Sequence, residues 1–328
     1  MEENIKTVNK PTNALMEFLK RNLGILIALA ILIVFMAVNP ATSASFLTTR
    51  NIFNVLRQIS TNLYVACAMT MVIILSGIDL SVGSIIALVG CISAAMAARY
   101  NLPIPVAMLI GMICGAGFGA FNGLVIARTT IPPFIVTLAT MNIAKGLAYV
   151  YTGGSPVRVI STDWQFLGAG YLFGVPVPVI ILIFVVLLSW LILNRTKMGR
   201  HIYAVGGNPQ AALYSGINTF KVKFFVFCYS GLMAALAGIV LASRMYSGQP
   251  TAGDGAEMDA IAATVVGGTS MNGGYGFIGG TVIGALIIGV LNNGLNLMNV
   301  NSFWQYVVKG IVILLAVYVD YIRNRKKQ

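Results

Sequence analysis

The sequence predicts an all-α polytopic membrane protein of about ten transmembrane helices. Two compositional facts and one pattern carry that expectation. Apolar residues make up 58% of the 328 positions and charged residues 9%, with mean hydropathy +0.86. A soluble domain covers its surface with about 25% charged residues, so much of this exterior must face lipid. Apolar stretches near span length, about 20 residues, then recur along the whole chain, and no long polar region is left for a soluble catalytic domain.

Taken in order, residues 1–22 form a polar tail that ends in Lys20 and Arg21, directly before the first apolar run. A signal peptide also begins this way, but the many spans that follow favour an uncleaved anchor. Apolar runs fall at 23–38, 62–76, 82–98, 106–127, 134–151 and 175–193, and a polar stretch follows at 194–223. Four more runs lie at 224–243, 258–268, 277–298 and 303–322, before a basic tail at 323–328. Residues 23–322 thus read as one transmembrane domain carrying one long loop. With the N-terminus inside, six crossings return that loop to the cytoplasm and four more return the C-terminus.

The net charge of +12 raises nucleic acid as a partner, and its distribution answers. The inside would hold Lys6, Lys10, Lys20, Arg21, Arg128, Arg195, Lys197, Arg200, Lys221, Lys223, Arg323, Arg325, Lys326 and Lys327. The outside would hold only Arg50, Arg57, Arg99, Arg158 and Arg244, with Lys145 and Lys309 inside spans. Such a bias is the positive-inside rule at work. The partner it implies is the bilayer, not nucleic acid.

Two stretches interrupt the apolar pattern: Ser76 to Gly83 after the second run, and Gly267 to Gly276 after the short eighth. Glycine and polar groups there free backbone donors and acceptors that lipid cannot satisfy. These broken-helix regions should line a protein-enclosed cavity or turn at an interface. The fourth run carries Gly111, Gly115, Gly119 and Gly123 at four-residue spacing, and the ninth carries Gly276, Gly280 and Gly284. Such spacing cuts a groove along one helix face where another backbone can approach, within the chain sooner than between copies. Asn122-Gly123-Leu124 with Lys145-Gly146 is echoed by Asn293-Gly294-Leu295 with Lys309-Gly310, in opposite senses across the membrane. Inverted repeats are common in transporters, although apolar helices also match by chance.

Four cysteines, Cys67, Cys91, Cys114 and Cys228, lie in apolar runs without CxxC spacing and read as small hydrophobes. The single histidine, His201, cannot build a metal site alone, and no metal is expected. No GxxxxGK[ST] phosphate cradle occurs, and the usual nucleophile–base or metal constellations of an enzyme are missing. Asp79, Glu257, Asp259, Lys145 and Lys309 are the intramembrane ions, groups that are costly in lipid. Half-helix capping is the plain role for Asp79 and Asp259, and Lys145 and Lys309 can snorkel. An ion-coupled carrier would need them central and clustered, which the spacing does not show; the lining is expected to be mostly neutral.

Within the polar stretch, Asn208 suits a helix N-cap, Pro209 the first helical position and Gly216 the left-handed C-terminal position. Gln210-Ala211-Ala212-x-x-x-Gly216 resembles the EAA-and-glycine signature of ATP-binding-cassette importer permeases, with Gln for the usual Glu as in their sugar branch. The stretch Arg200 to Asn208, the blocks Leu75 to Gly90 and Asp259 to Gly274, and the tail Asn292 to Asp320 resemble the ribose-type monosaccharide permeases. The resemblance spans about residues 50 to 325.

That resemblance implies the large-importer-class fold, a homodimer, a cytoplasmic ATPase partner with two nucleotide-binding modules that uses ATP and Mg, and a sugar-binding protein outside the inner membrane. It implies no cofactor on this chain. It also implies an ATPase-coupling helix made by Gly207, Asn208, Pro209, Gln210, Ala211, Ala212, Leu213, Tyr214, Ser215 and Gly216. The breaks and the repeated triplets supply the candidate translocation path: Gly77, Asp79, Ser81, Gly83, Asn122, Asp259, Gly267, Gly268 and Asn293. An ion-coupled sugar transporter is the alternative reading.

Overall fold

A computed structural model describes residues 14–325; the rest of the two expected tails, 1–13 and 326–328, lies outside the described residues. The chain is mostly helical: α1 (Ala14–Val38), α2 (Ser43–Phe46), α3 (Thr49–Ile74), α4 (Val82–Ala98), α5 (Ile104–Arg128), α6 (Pro133–Thr152) and α7 (Thr162–Ala169) come first. Then come α8 (Val177–Arg195), α9 (Lys197–Gly207), α10 (Pro209–Tyr214), α11 (Thr219–Arg244), α12 (Ala256–Val266), α13 (Ile278–Leu297) and α14 (Ser302–Arg325). The all-α expectation needs one small correction. Strands β1 (Val157–Arg158) and β4 (Ser247–Gly248) pair antiparallel, as do β2 (Tyr171–Leu172) and β3 (Val175–Pro176).

Among the described residues, α5, α6, α8, α11 and α13 are long and apolar enough to cross a membrane, and α1, α4 and α14 contain shorter apolar segments. Five of the expected runs, 106–127, 134–151, 175–193, 224–243 and 277–298, fall in these five long helices. Central α3, 26 residues long, has Thr, Asn, Arg and Gln in its first half, so hydropathy hides it. It begins thirteen residues before the expected run because Thr48 caps it, its hydroxyl accepting from the Asn51 amide at 3.3 Å. From Ile59 to Ile74 almost every α3 side chain is buried. A helix covered on all sides needs no apolar stripe.

The eighth run, α12, has 11 residues, about 16 Å of helix, too short for an apolar core about 30 Å thick. The chain before it makes up the difference. Gly248 sits against the backbone of Gly90 and Cys91, while Gly253 sits against Gly83 and Ile86. Residues 248–253 thus run back along α4 by about two helical turns, roughly 10 Å, and α12 starts inside the bundle.

Two of the regular glycine stripes face other helices of the same chain. A Cβ on Gly115 or Gly119 would meet the backbone of α11 at Gly231, and one on Gly123 the backbone at Phe224. Gly111 faces Ser93 and Val89 of α4. Gly280 and Gly284 lie against Gly267 and the Ala263 carbonyl of α12, and Gly276 against Thr269 and Ile74. Because lipid tails are as apolar as leucine, contact of this kind and interhelical hydrogen bonds hold such bundles together. Tyr64 Oη donates to the Pro178 carbonyl at 2.5 Å, Thr70 and Thr281 hydroxyls meet at 2.7 Å, and Ser189 and Tyr229 at 2.7 Å. The four cysteines are free; Cys67 and Cys91 are buried, whereas Cys114 and Cys228 are only half-buried.

Gly231 is the tightest α5–α11 contact, where a side chain would strike the Gly115 carbonyl and the backbone of Gly119. Backbone cannot swing aside. Gly231→Leu should cost about 3 kcal/mol and lower the thermal midpoint of the detergent-purified chain by several degrees. Gly117→Leu, on the facing helix α5 with open space at its Cβ, should leave that midpoint unchanged.

Candidate functional site

The first break, residues 75–81 between α3 and α4, closes around Asp79, which is fully buried. Its Oδ1 accepts from the Ser81 amide at 3.0 Å and the Ser81 hydroxyl at 2.6 Å, and its Oδ2 accepts from Ser230 Oγ of α11 at 2.7 Å. Asn122 Nδ2 of α5 donates to Ser81 Oγ at 3.0 Å, and Thr140 of α6 donates to Asn122 Oδ1 at 2.6 Å. Thr137 Oγ1 reaches the Ile78 carbonyl at 3.1 Å. One carboxyl thus gathers α4, α5, α6 and α11 around backbone that has left helical geometry. Gly77 packs on Val72 and Phe227, and Gly83 is pressed against the Glu257 carboxylate. Asp79, Ser81 and Asn122 come together as a structural cluster; they do not line the cavity described below.

The second break, residues 267–277 between α12 and α13, turns through left-handed Gly268, Gly273 and Gly274, at φ +87°, +83° and +70°. It meets the first break directly, the Gly274 amide donating to the Ile74 carbonyl at 2.8 Å and Ser76 Oγ to the Asn272 carbonyl at 2.9 Å. Helix α9 completes the junction. Its Gly206 lies on the Ile74 carbonyl, and Tyr203 Oη donates to the Gly276 carbonyl at 2.7 Å.

The expected loop 194–223 is largely helical. Thr196 caps α9, its hydroxyl accepting from the Gly199 amide at 3.1 Å, and His201 lies within that helix. Asn208 caps α10, accepting from the Ala211 amide at 3.0 Å, with Pro209 in the first turn. The helix closes at Gly216, φ +79°, where the Ile217 amide returns to the Ala212 carbonyl at 3.0 Å. Only Ala212 is buried; Gln210, Ala211, Leu213 and Tyr214 are exposed, Tyr214 at 85%. Two turns of helix held rigid at both ends present an uncovered, largely apolar face. Gly207 and Ser215 flank it, both exposed.

Toward the other end of the bundle lies a cavity of about 420 Å³ between α3, α11, α12, α13 and α14. Asn62, on its wall, is twelve residues from the α3 terminus at Ile74, roughly 18 Å along the axis. Among its mostly neutral lining residues the cavity also carries Arg244, Asp254, Asp259 and Lys309. Lys309 Nζ lies 3.0 Å from both oxygens of Asp259, and Asn62 Nδ2 donates to Asp259 Oδ2 at 3.4 Å. Lys309 does not snorkel; its side chain is 23% exposed and that of Asp259 11%. Lys145 pairs with Asp254 at 3.1 Å in a more open setting. The charges are clustered, as an ion-coupled carrier would require, but each lysine is matched by a carboxylate.

Of the sequence candidates, Asp259 reaches this cavity. Asn293 does not: it exchanges amide hydrogen bonds with Asn51 at 2.9 and 3.0 Å and clasps α13 to α3. Its neighbour Asn292 lines the cavity. Gln58, Asn62, Gln305 and Arg244 also line it and were missed. The signal was present for α3, where Gln58, Thr61 and Asn62 recur at helical spacing in a polar stripe.

The chain belongs to the family described as branched-chain amino acid transport system / permease component, whose profile matches residues 51–317. It is a multi-pass membrane protein and, as a permease, not itself an enzyme. Among its relatives are the ribose import permease protein RbsC of Bacillus subtilis (strain 168), 49% identical over 92% of both chains. RbsC of Haemophilus influenzae is 46% identical over 90% of this chain and 93% of its own length. The xylose transport system permease protein XylH of Haemophilus influenzae is 37% identical over 92% and 96%. No solved structure matches the chain.

Removing one partner of a mostly buried ion pair strands the other charge, at about 3–5 kcal/mol. Lys309→Met should therefore destabilise the purified chain strongly, and adding Asp259→Asn should restore most of the loss. Lys145→Met, at a half-exposed pair, should cost less than about 1 kcal/mol. Thermal unfolding of the four proteins checks this; additive losses in the double variant would show that the pair is not coupled.

Proposed function

We propose that this chain is the inner-membrane permease subunit of an ATP-binding-cassette importer for ribose. The observation that carries this is the set of ribose import permeases that match it at 46–49% identity over at least nine-tenths of both chains. On this reading the chain works as a homodimer, with a binding protein outside delivering the sugar and a two-module ATPase inside supplying energy. ATP and Mg belong to that partner.

The orientation follows from the charge bias, with both termini and α9–α10 in the cytoplasm. The crossings number ten when the extended segment 247–255 and α12 count together as the eighth. The two breaks then lie side by side near the cytoplasmic surface, and the polar cavity lies toward the outside. Helix α10 is the coupling element. Its exposed Gln210, Ala211, Leu213 and Tyr214 form a small apolar knob suited to a cleft in the ATPase, and its caps keep the knob rigid. The rival ion-coupled carrier draws some support from the charge cluster. Against it stands the internal pairing of those charges, which leaves neither lysine free to exchange an ion cheaply.

Two substitutions probe the coupling role at the two ends of α10. Ala211 is the third residue of α10, where a carboxylate favours the helix N-terminus, so Ala211→Asp should leave the helix intact while charging the knob. Gly216→Val meets no atoms at its Cβ, but at φ +79° a β-branched side chain strains the backbone by about 1–3 kcal/mol, a strain confined to the end of α10. In proteoliposomes holding the complete importer, each should insert normally, cut ribose uptake at least tenfold and leave ATP hydrolysis running. Unchanged uptake would remove the coupling claim. Ribose uptake driven by an ion gradient through the chain alone would replace the importer with the carrier.

A further inference from the structure

The cavity contains one feature that neither helix packing nor the ion pair accounts for. Asn292 of α13 is 3% exposed, and its Oδ1 has no hydrogen-bond partner among the described residues. A buried polar atom left without a partner costs about 1–3 kcal/mol, so Asn292 Oδ1 calls for a hydrogen-bond donor that the protein itself does not supply. On the same helix, Asn293 shows what an amide does when its purpose is packing: it pairs fully with Asn51. Asn292 Oδ1 has no such partner, and Asn292 is one of the residues that wall the polar cavity.

The surroundings define what would fill that space. Asn62 supplies an amide beside the Asp259 carboxylate, and the Asp259–Lys309 pair presents an acceptor and a donor whose charges cancel. Gln305 commits its Nε2 to Asn296 Oδ1 at 2.9 Å and the Val300 carbonyl at 3.1 Å, which leaves its own oxygen as a further acceptor. The wall thus offers both acceptors and donors; its carboxylates Asp254 and Asp259 are each matched by a lysine, and Arg244 adds further donors. That is the chemistry that recognises a neutral polyol, each hydroxyl giving one hydrogen bond and accepting others. The volume of about 420 Å³ is at the small end of ligand sites, about 300–1,000 Å³, and suits a single monosaccharide.

We propose that the cavity walled by Asn62, Asp259, Asn292 and Lys309 is a weak transit site for the monosaccharide, in which Asn292 Oδ1 accepts a hydrogen bond from a sugar hydroxyl. The site rests on the importer reading and adds to it a place where the permease itself holds the sugar. Conduction needs binding firm enough for entry and weak enough for release, so the affinity belongs in the millimolar range.

The test uses the full chain in lipid nanodiscs with D-ribose as the probe. Saturation-transfer NMR should show contact between ribose and the wild-type chain, reduced at least fivefold in Asn292→Leu and in Asn62→Leu. Photolabelling of the unmodified chain with a diazirine derivative of ribose should place adducts on α3 and α13 beside Asn62 and Asn292, and needs no variant to fold. Adducts confined to other helices, or undiminished transfer in a correctly inserted variant, would overturn the site. If the complete wild-type importer still takes up ribose in that event, the importer reading survives without the site. If it takes up none, both fall together.

Discussion

Lipid offers no hydrogen bonds, so wherever this chain leaves helical geometry inside the bundle its freed backbone groups must find partners in protein. Both breaks meet that constraint, by different means. The first recruits a side chain: Asp79 receives the Ser81 amide and hydroxyl and reaches across to Ser230. The second relies on left-handed glycines and on the first break itself, through the Gly274 amide and the Ile74 carbonyl. Neither could exist alone at this depth. Their mutual satisfaction brings the ends of α3, α4, α12 and α13 to one junction, and the layout of the rest follows from it.

One consequence is a division between stiff and adjustable parts. The α5–α11 contact is made backbone to backbone across Gly115, Gly119 and Gly231, and such an interface cannot shift without losing its dispersion contacts at once. By contrast α12 begins inside the bundle behind an extended segment, with glycine on both sides and polar groups toward the cavity. Half-helices of this type hold the polar sites of many transporters. Here the half-helix carries Asp259, the carboxylate that organises the cavity wall.

How much of this was legible follows from which signals sequence preserves. The glycine stripes were readable because four-residue spacing fixes a face, and the face proved to be α11 and α12. Caps of α10 were readable because Asn, Pro and Gly act through their own backbone. Helix α3 was half hidden, since a helix buried on all sides may be polar wherever its neighbours are polar, and hydropathy reports only lipid exposure. Helix α9 was taken for loop for the opposite reason: it is only partly buried, and its buried face, Gly199, Ile202, Val205 and Gly206, is narrow. Asn293 was chosen over Asn292 because the triplet repeat pointed there, yet one residue is about 100° around a helix. That rotation separates a packing amide from one that faces the cavity. Lys309 and Asp259 are fifty residues apart, and no local pattern foretells their pairing.

The junction also explains how a push on a surface helix would reach a cavity on the far side. Helix α10 follows α9 with only Asn208 between them, and Asn208 both ends α9 and caps α10. Motion of α10 must therefore turn α9. That helix cannot turn without disturbing Gly206 on the Ile74 carbonyl and Tyr203 on the Gly276 carbonyl, which are the last turn of α3 and the approach to α13. Those are the helices that carry Asn62 and Asn292. Helices are stiff along their axes, so in the importer reading a small rotation at the junction would be carried to the two amides roughly 18 Å away. In the importer reading, that lever is what joins the energy source to the sugar.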